Sequence, residues 1–195
     1  MKSRSLAAVF FLAVLFLTGC GLFEPRTPDK PGSGAVPWIS PTEPETVFVN
    51  VKRAIEGKVV ENYVRSLTTD FAFHPDPSDS TELSATRPGI FDDWTVDGAE
   101  RQVSQAILDQ ASSLSLTFTQ RDAPIYVSAD DAVFFLKYEL RVVYKAGGAD
   151  VFYGLADFLM RRETDQFWYV YTWIDKRDPD FPANRTWGYL KGTKR

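Results

Sequence analysis

The stretch that decides the fold is DAVFFLKYELRVVYK, residues 131–145. Apolar or aromatic side chains fill every second position along it, and charged side chains stand between them in the middle of the stretch. A period of two is typical of a β-strand with one buried face, and a register shift of one residue would exchange the two faces. We predict that one face points into the core and consists of Phe134, Leu136, Tyr138, Leu140 and Val142. The opposite face points outward and carries Lys137, Glu139 and Arg141.

Further strands surround this stretch on both sides. Alternation over residues 114–119 predicts a strand before it, with residues 123–127 as a continuation or a separate short strand. Gly147-Gly148 turns the chain, residues 151–162 return, and a polar turn leads to a last strand at 167–175. Short connections of this kind are typical of hairpins, so we expect an antiparallel sheet.

The first half of the domain has helical periodicity instead. A capping box at Thr42 and Glu45 predicts a helix to about Glu56, and a second helix is expected from Lys58 to Thr68. A short strand or buried extension follows around Phe71 and Phe73, and residues 75–98 are expected to be irregular. A second capping box, residues 97–100, predicts a helix to about Ala111. Helices followed by strands predict an α+β fold in which N-terminal helices pack on a strongly curved antiparallel sheet.

The N-terminus is typical of an exported protein. Lys2 and Arg4 precede an apolar run from Leu6 to Leu17, which is too short for a bilayer-spanning helix of about 20 residues. The segment 17–20, Leu-Thr-Gly-Cys, resembles the lipobox of bacterial lipoproteins, and Cys20 is the only cysteine of the chain. The resemblance implies a signal peptide at 1–19, lipidation of Cys20 including palmitate, and a place in the cell envelope. Glycine rather than aspartate after that cysteine favours the outer membrane.

The next residues, 20–44, contain half of the chain's prolines, and we interpret them as a lipidated cysteine followed by a semi-rigid tether. Residues 45–195 make up a single domain. The formal net charge of the whole chain is −4, which disfavours nucleic acid as a partner. One cysteine and one histidine exclude an internal disulfide and disfavour zinc, and we expect neither a metal nor a cofactor.

Three local patterns carry a resemblance to a known superfamily: DFAF at 70–73, WID at 173–175 and WGYLK at 187–191. With the order of helices and strands over about 45–192, they resemble the nuclear transport factor 2-like superfamily, in particular uncharacterised envelope lipoproteins of that fold. The superfamily also includes ketosteroid isomerase and polyketide cyclases. The resemblance implies a cone-shaped fold, but enzymes and non-catalytic proteins share it.

Two aspartates are candidates for catalysis within such a cone. Asp157 lies mid-strand between apolar neighbours, and Asp175 ends the last strand beside Trp173. A carboxyl group in apolar surroundings can have a raised pKa and act as an acid or base, with Tyr138 as its partner. We favour structural roles for both: Asp157 could pair with Arg161 or Lys137, and Asp175 could cap the backbone or pair with Arg177 or Arg185.

The aromatic residues Tyr138, Tyr171 and Trp173 could line a pocket for an apolar ligand or simply form core. The only histidine, His74, precedes a proline in a polar stretch and is a poor candidate for a general base. We therefore favour a membrane-anchored domain that binds a partner protein or a small apolar ligand, and a homodimer is also open. The alternative is a ketosteroid isomerase-like lyase or isomerase that uses a pocket carboxylate and a tyrosine. A cone filled by aromatic side chains would favour the non-catalytic role.

Overall fold

The computed structural model describes residues 36–195. The predicted signal peptide, Cys20 and the first part of the tether lie outside the described residues. None of the helices in the described part has the length and hydropathy that a bilayer crossing requires.

Helices precede and follow the strands of one sheet, and they are named here in chain order. The helices are α1 Pro44–Glu56, α2 Val60–Val64, α3 Pro77–Ser84, α4 Arg101–Gln110 and α5 Trp187–Lys194. A π-helical turn, Val96–Glu100, leads into α4. The strands are β1 Leu67–His74, β2 Ala111–Tyr126, β3 Asp131–Tyr144, β4 Ala149–Arg162 and β5 Trp168–Lys176.

The five strands form one sheet in the order β1-β5-β4-β3-β2. The three hairpin pairings from β2 to β5 are antiparallel, as the sequence predicted. The edge strand β1 pairs with β5 in parallel, which the sequence did not predict because the two strands are far apart in the chain. The α+β fold class, with helices on a curved and mostly antiparallel sheet, is confirmed.

The predicted faces of β3 are also confirmed. Its inward-facing residues are all buried, from Phe134 to Val142, whereas Glu139 and Arg141 are exposed and Lys137 is half-buried. The register places Tyr138 opposite Gly154 of β4, and Phe158 of β4 opposite Trp173 of β5. The inward faces of these three neighbouring strands therefore carry two of the candidate residues, Tyr138 and Trp173.

Several local predictions were wrong. The N-cap of α1 is Glu43, without a side-chain hydrogen bond, and Pro44 begins the helix instead of the expected capping box. The second helix ends at Val64 and not at Thr68, because the chain already enters β1 at Leu67. The segment expected to be irregular contains α3, whose N-terminus is capped by the Asp76 carboxylate.

The second predicted capping box, residues 97–100, was also wrong. The Thr95 hydroxyl, not a residue of the predicted box, accepts the hydrogen bond from the Gly98 amide. Glu100 turns inward and is fully buried instead of reaching back to the helix N-terminus. The glutamate of an apparent local motif is therefore used by the tertiary structure.

Residues 36–41 contact the domain and form one compact unit with it. The Asn50 side chain accepts a hydrogen bond from the Ile39 amide at 3.0 Å and donates one to the Ile39 carbonyl at 2.6 Å. The Trp38 ring lies beneath the Arg65 guanidinium, 3.8 Å from the ring centroid to Cζ. The Pro41 carbonyl accepts a hydrogen bond from the Trp168 amide at 2.8 Å. The end of the proline-rich segment thus packs as part of the folded unit.

Candidate functional site

Tyr138 and Asp175, two of the candidate residues, meet inside the cone. The Tyr138 hydroxyl donates a hydrogen bond of 2.6 Å to the Asp175 carboxylate, and both side chains are buried. Gly154 makes room for the tyrosine ring, since a Cβ at that position would lie 2.2 Å from the Tyr138 hydroxyl oxygen. A glycine inside a strand is typical of such a close approach. Adjacent strands therefore hold the pair in a fixed position.

The C-terminal helix α5 covers this pair with its first turn. The Tyr138 hydroxyl oxygen accepts a hydrogen bond of 2.8 Å from the Trp187 amide, and the Asp175 carboxylate accepts one of 2.6 Å from the Gly188 amide. Amide groups of the first helical turn have no partner within the helix, and the positive end of the helix dipole stabilises an anion placed there. The carboxylate thus serves as a structural partner of α5, which is the backbone-capping role that the sequence left open.

Burial raises the pKa of Asp175 to about 6, although the hydrogen bond from Tyr138 and the one from the Gly188 amide oppose that shift. Burial and the adjacent Asp175 charge raise the pKa of Tyr138 well above its usual value of 10.0. The Asp175 charge therefore disfavours ionisation of Tyr138, so the tyrosine keeps its proton at neutral pH and donates the hydrogen bond to the carboxylate.

A second buried cluster lies against α5. The Lys191 ammonium is 2.7 Å from the Glu100 carboxylate, and both side chains are completely buried. Glu100 also accepts hydrogen bonds from the Tyr63 hydroxyl and from Trp94 Nε1, the latter at 2.7 Å. Burial lowers the pKa of Lys191, whereas the Glu100 charge opposes that shift. Isolated buried charges are very unfavourable, so each needs the other and its hydrogen-bond partners.

A third cluster attaches the loop before α5 to α3. Asp79, which is fully buried, accepts a hydrogen bond of 3.0 Å from Arg177 Nε and one of 2.7 Å from the Thr186 hydroxyl. Arg185 pairs with Glu82 through both guanidinium nitrogens, at 2.5 and 2.6 Å. Arg177 and Arg185 therefore contact α3, and neither pairs with Asp175 as the sequence had allowed.

Aromatic rings fill the space between these clusters. Trp173 has neighbours on three sides: its ring centroid is 4.9 Å from that of Trp187, 5.0 Å from that of Phe158 and 5.5 Å from that of Phe73. Phe48 of α1 adds a second group with centroid distances of 5.3 Å to Phe134 and to Phe158. The interior of the cone is packed core and not an open pocket.

Other candidate residues lie away from this interior. Asp157 is buried on the outer face of the sheet, next to Arg121 at 3.3 Å and in an ion pair with Lys176. The structural role that the sequence allowed for it is therefore found, but with partners other than Arg161 and Lys137. Tyr171 is half-buried and contacts Arg161, with 5.3 Å between the guanidinium carbon and the ring centroid. Of the three residues predicted to line a pocket, only Tyr138 and Trp173 are therefore neighbours. His74 is exposed at the end of β1.

Sequence reasoning missed four residues of the clusters: Tyr63, Asp79, Glu100 and Lys191. Two of them left a signal. Tyr63 shares the apolar face of the second predicted helix with Val60 and Val64. Lys191 follows Trp187 and Leu190 at helical spacing and so belongs to their buried face. Glu100 was hidden by its apparent capping role, and Asp79 lies in a segment that looked irregular. Their burial depends on partners distant in the chain, which no local pattern contains.

Neither Tyr138 nor Asp175 lines either of two surface grooves within residues 36–195. One of about 540 Å³ lies beside Asp70, Arg161 and Tyr169. Another of about 400 Å³ lies between Tyr144 and the outer side of α5. Within the same residues, no group of three or more histidine, cysteine, aspartate or glutamate side chains could hold a metal ion.

Neither a protein-family model nor a curated protein sequence matches the chain. Solved structures, in contrast, do resemble the folded chain. A scytalone dehydratase-like protein from Novosphingobium aromaticivorans has 12% sequence identity and a TM-score of 0.55, with 67% of this chain and 78% of that chain covered. A ketosteroid isomerase-like protein from Erwinia carotovora atroseptica has 15% identity and a TM-score of 0.50, with 68% and 92% covered.

A nuclear transport factor 2-like superfamily protein from Salmonella enterica serovar Typhimurium has 10% identity and a TM-score of 0.50, with 67% of this chain and 85% of that chain covered. At these identities the likeness concerns the fold alone, and the neighbours include proteins of both enzymatic and non-enzymatic kinds. The chain thus has the cone-shaped α+β fold of the nuclear transport factor 2-like superfamily.

Proposed function

We propose that the protein is a lipid-anchored envelope protein whose cone domain has a non-catalytic binding or assembly role. The observation that carries the second part is the occupied interior: α5 and the aromatic rings fill the space where a small substrate would have to bind. The Asp175 carboxylate and the Tyr138 hydroxyl, which could have acted on a substrate, are hydrogen-bonded to each other and to backbone amides of α5.

The anchor part of the proposal rests on the lipobox-like segment that ends at Cys20. Mass spectrometry of the membrane fraction should find a mature chain that begins with a lipid-modified Cys20. Cys20→Ser should leave the protein unprocessed and without lipid. An unmodified Cys20, or cleavage at another position, would contradict the anchor while leaving the proposed role of the domain untouched.

One specific observation supports the alternative function, a ketosteroid isomerase-like activity. Asp175 combines complete burial with a pKa of about 6 and a tyrosine partner, which are the properties of a carboxylate that exchanges a proton near neutral pH. In that alternative Asp175 would move the proton and Tyr138 would donate a hydrogen bond to the developing oxyanion. This chemistry would require α5 to leave the cone.

The two functions differ in a direct assay. We expect no isomerisation of a β,γ-unsaturated ketone above the rate in buffer, followed by the ultraviolet absorbance of the conjugated product. We also expect the same result for Asp175→Asn and Tyr138→Phe. Turnover by the wild-type protein that both substitutions abolish, with Asp157→Asn as an active control, would establish the enzyme and reject the non-catalytic role.

The outer face of the sheet is the surface that we propose for assembly of two copies. Half-buried Phe135 and Ile174 flank Asp157 in register across three strands, and Leu155 and Leu159 are its neighbours along β4. Apolar side chains around a neutralised ion pair suit a self-complementary contact. Sedimentation equilibrium should detect a dimer that Phe135→Glu converts to monomer. A monomeric wild-type protein at millimolar concentration would reject this surface.

A further inference from the structure

The Lys191 ammonium lies among aromatic rings as well as beside a carboxylate. Its nitrogen is 3.8 Å from the Trp173 ring centroid and 4.2 Å from that of Phe73. The Trp187 and Tyr63 centroids are 5.5 and 5.9 Å away. A cation within about 6 Å of an aromatic ring face is attracted by the ring quadrupole, and the attraction is larger where water is excluded.

Hydrogen-bond acceptors complete the surroundings of this nitrogen. Glu100 lies 2.7 Å away, and the Tyr63 oxygen accepts a hydrogen bond at 3.3 Å. The aromatic rings come from β1, β5, α2 and α5, and the carboxylate comes from the turn before α4. Three of the four rings and the carboxylate therefore belong to elements other than α5, and only the Trp187 ring is supplied by the helix that carries the lysine.

We propose that this end of the cone is a binding site for a primary alkylammonium group, and that Lys191 is its tethered occupant. The four rings and Glu100 recognise the positive charge, and the apolar walls accept the aliphatic stem. The C-terminal helix is then an internal ligand of the cone. The class of compound that competes with it has a primary ammonium group on an unbranched alkyl chain.

The experiment removes the occupant and returns it as a free ligand. Lys191→Ala deletes a fragment that corresponds to n-propylammonium and leaves Glu100 buried without its counter-ion. We expect 50 mM n-propylammonium chloride to raise the melting temperature of this variant by about 3 °C or more, because a ligand that binds only the folded state stabilises it. Neutral 1-propanol with equimolar sodium chloride, which matches the stem and the ionic strength, should have a much smaller effect.

Two controls locate the effect in the cage. The wild-type protein and Lys191→Met, in which a side chain already fills the stem site, should not respond to n-propylammonium. Glu100→Gln in the Lys191→Ala background should abolish the response, since the carboxylate that recognises the charge is gone. Equal stabilisation by 1-propanol, persistence of the effect without Glu100, or the same shift in the wild-type protein would overturn the proposal.

If Lys191→Ala does not fold even with n-propylammonium present, the wild-type protein supplies a second test. Nitrogen-15 NMR should then show the Lys191 side chain as an ammonium at pH 7, and its ε-methylene protons should be shifted upfield by the currents of the neighbouring rings. A neutral amine at pH 7, or an unshifted methylene signal, would overturn the proposal. This inference does not rest on the proposed function, because an ammonium cage is compatible with a binding protein and with an enzyme.

Discussion

Within residues 36–195, four charged side chains have no exposed surface: Asp79, Glu100, Asp175 and Lys191. Three of them contact α5 or the residue that caps it, and Lys191 itself belongs to that helix. Breaking a buried ion pair by removing one partner typically costs about 3–5 kcal/mol, whereas exposed pairs contribute about 0–1 kcal/mol. The interior pairs therefore matter much more for the position of α5 than the surface pairs of the same chain.

The Asp175 carboxyl group should make stability depend on pH. Its pKa is raised from 3.8 to about 6 on folding, so the folded state binds the proton more tightly than the unfolded state. The stability that this proton provides is fully present below about pH 3.8 and is lost as the pH rises to about 6, with a total change of about 2–3 kcal/mol.

Chemical denaturation of the wild-type protein and of Asp175→Asn between pH 4 and pH 7 measures this dependence. The difference in unfolding free energy between them should change by about 2–3 kcal/mol in favour of the variant as the pH rises. The asparagine cannot ionise, and because it keeps only one acceptor oxygen, its loss of one of the two hydrogen bonds from Tyr138 and Gly188 is a constant offset. Parallel pH profiles for the two proteins would show that Asp175 does not titrate in this range.

Gly188 tests how closely α5 approaches the cone. A Cβ at this position would lie 2.6 Å from an Asp175 carboxylate oxygen and 3.1 Å from the Phe73 ring. Gly188→Ala should therefore reduce the unfolding free energy by about 1–3 kcal/mol, although alanine is the better helix former by about 1 kcal/mol. Thr193→Ala on the exposed side of α5 should change it by less than about 0.5 kcal/mol. A stabilised Gly188→Ala would mean that α5 packs more loosely.

Among the strands, β3 has the clearest alternation between buried residues and more exposed ones, and this alternation assigns its two faces. One face of it contributes six buried side chains to the core, including Tyr138 of the candidate site, and the residues of the other face are half-buried or exposed. Because the side-chain period of a strand is two, the whole strand has only two arrangements. The position of Tyr138 inside the cone is therefore a consequence of the same pattern that places Leu140 there.

The faces of β3 can be tested by a pair of adjacent substitutions. Leu140 has no exposed surface, so Leu140→Ala should reduce the unfolding free energy by about 2–5 kcal/mol. Glu139 is exposed, and Glu139→Ala should change it by less than about 0.5 kcal/mol. Denaturant titration of the two variants decides the register: similar losses for both would contradict the assignment of the faces.

The folded unit as a whole begins before the first helix. Residues 36–41 bind Asn50, Arg65 and Trp168, which belong to α1, to the turn after α2 and to β5. A chain that begins at Thr42 should therefore melt more than about 5 °C below one that begins at Val36. Asn50→Ala in the longer chain should reproduce part of that decrease. Equal melting temperatures would show that residues 36–41 contribute no stability and belong functionally to the tether.

The sequence by itself determined the fold class, the hairpin strands β2 to β5, the faces of β3 and the approximate position of α1 and α4. These features follow from local periodicity and turn residues, which are properties of neighbouring positions in the chain. The lipobox-like segment is a local motif of the same kind, and it predicts lipidation of Cys20 and a place in the cell envelope.

Only the tertiary structure decided what fills the cone. Contacts between Tyr138 and Asp175, Glu100 and Lys191, or β1 and β5 join residues far apart in the chain, and no local period encodes them. Local signals even misled, since Glu100 looked like a helix cap and Asp157 looked like an acid inside the cone, whereas Asp157 is buried on the outer face of the sheet beside Arg121 and Lys176. Whether a carboxylate faces water, a counter-ion or an aromatic ring depends on which distant side chains reach it, because desolvation and pairing arise only when the chain packs.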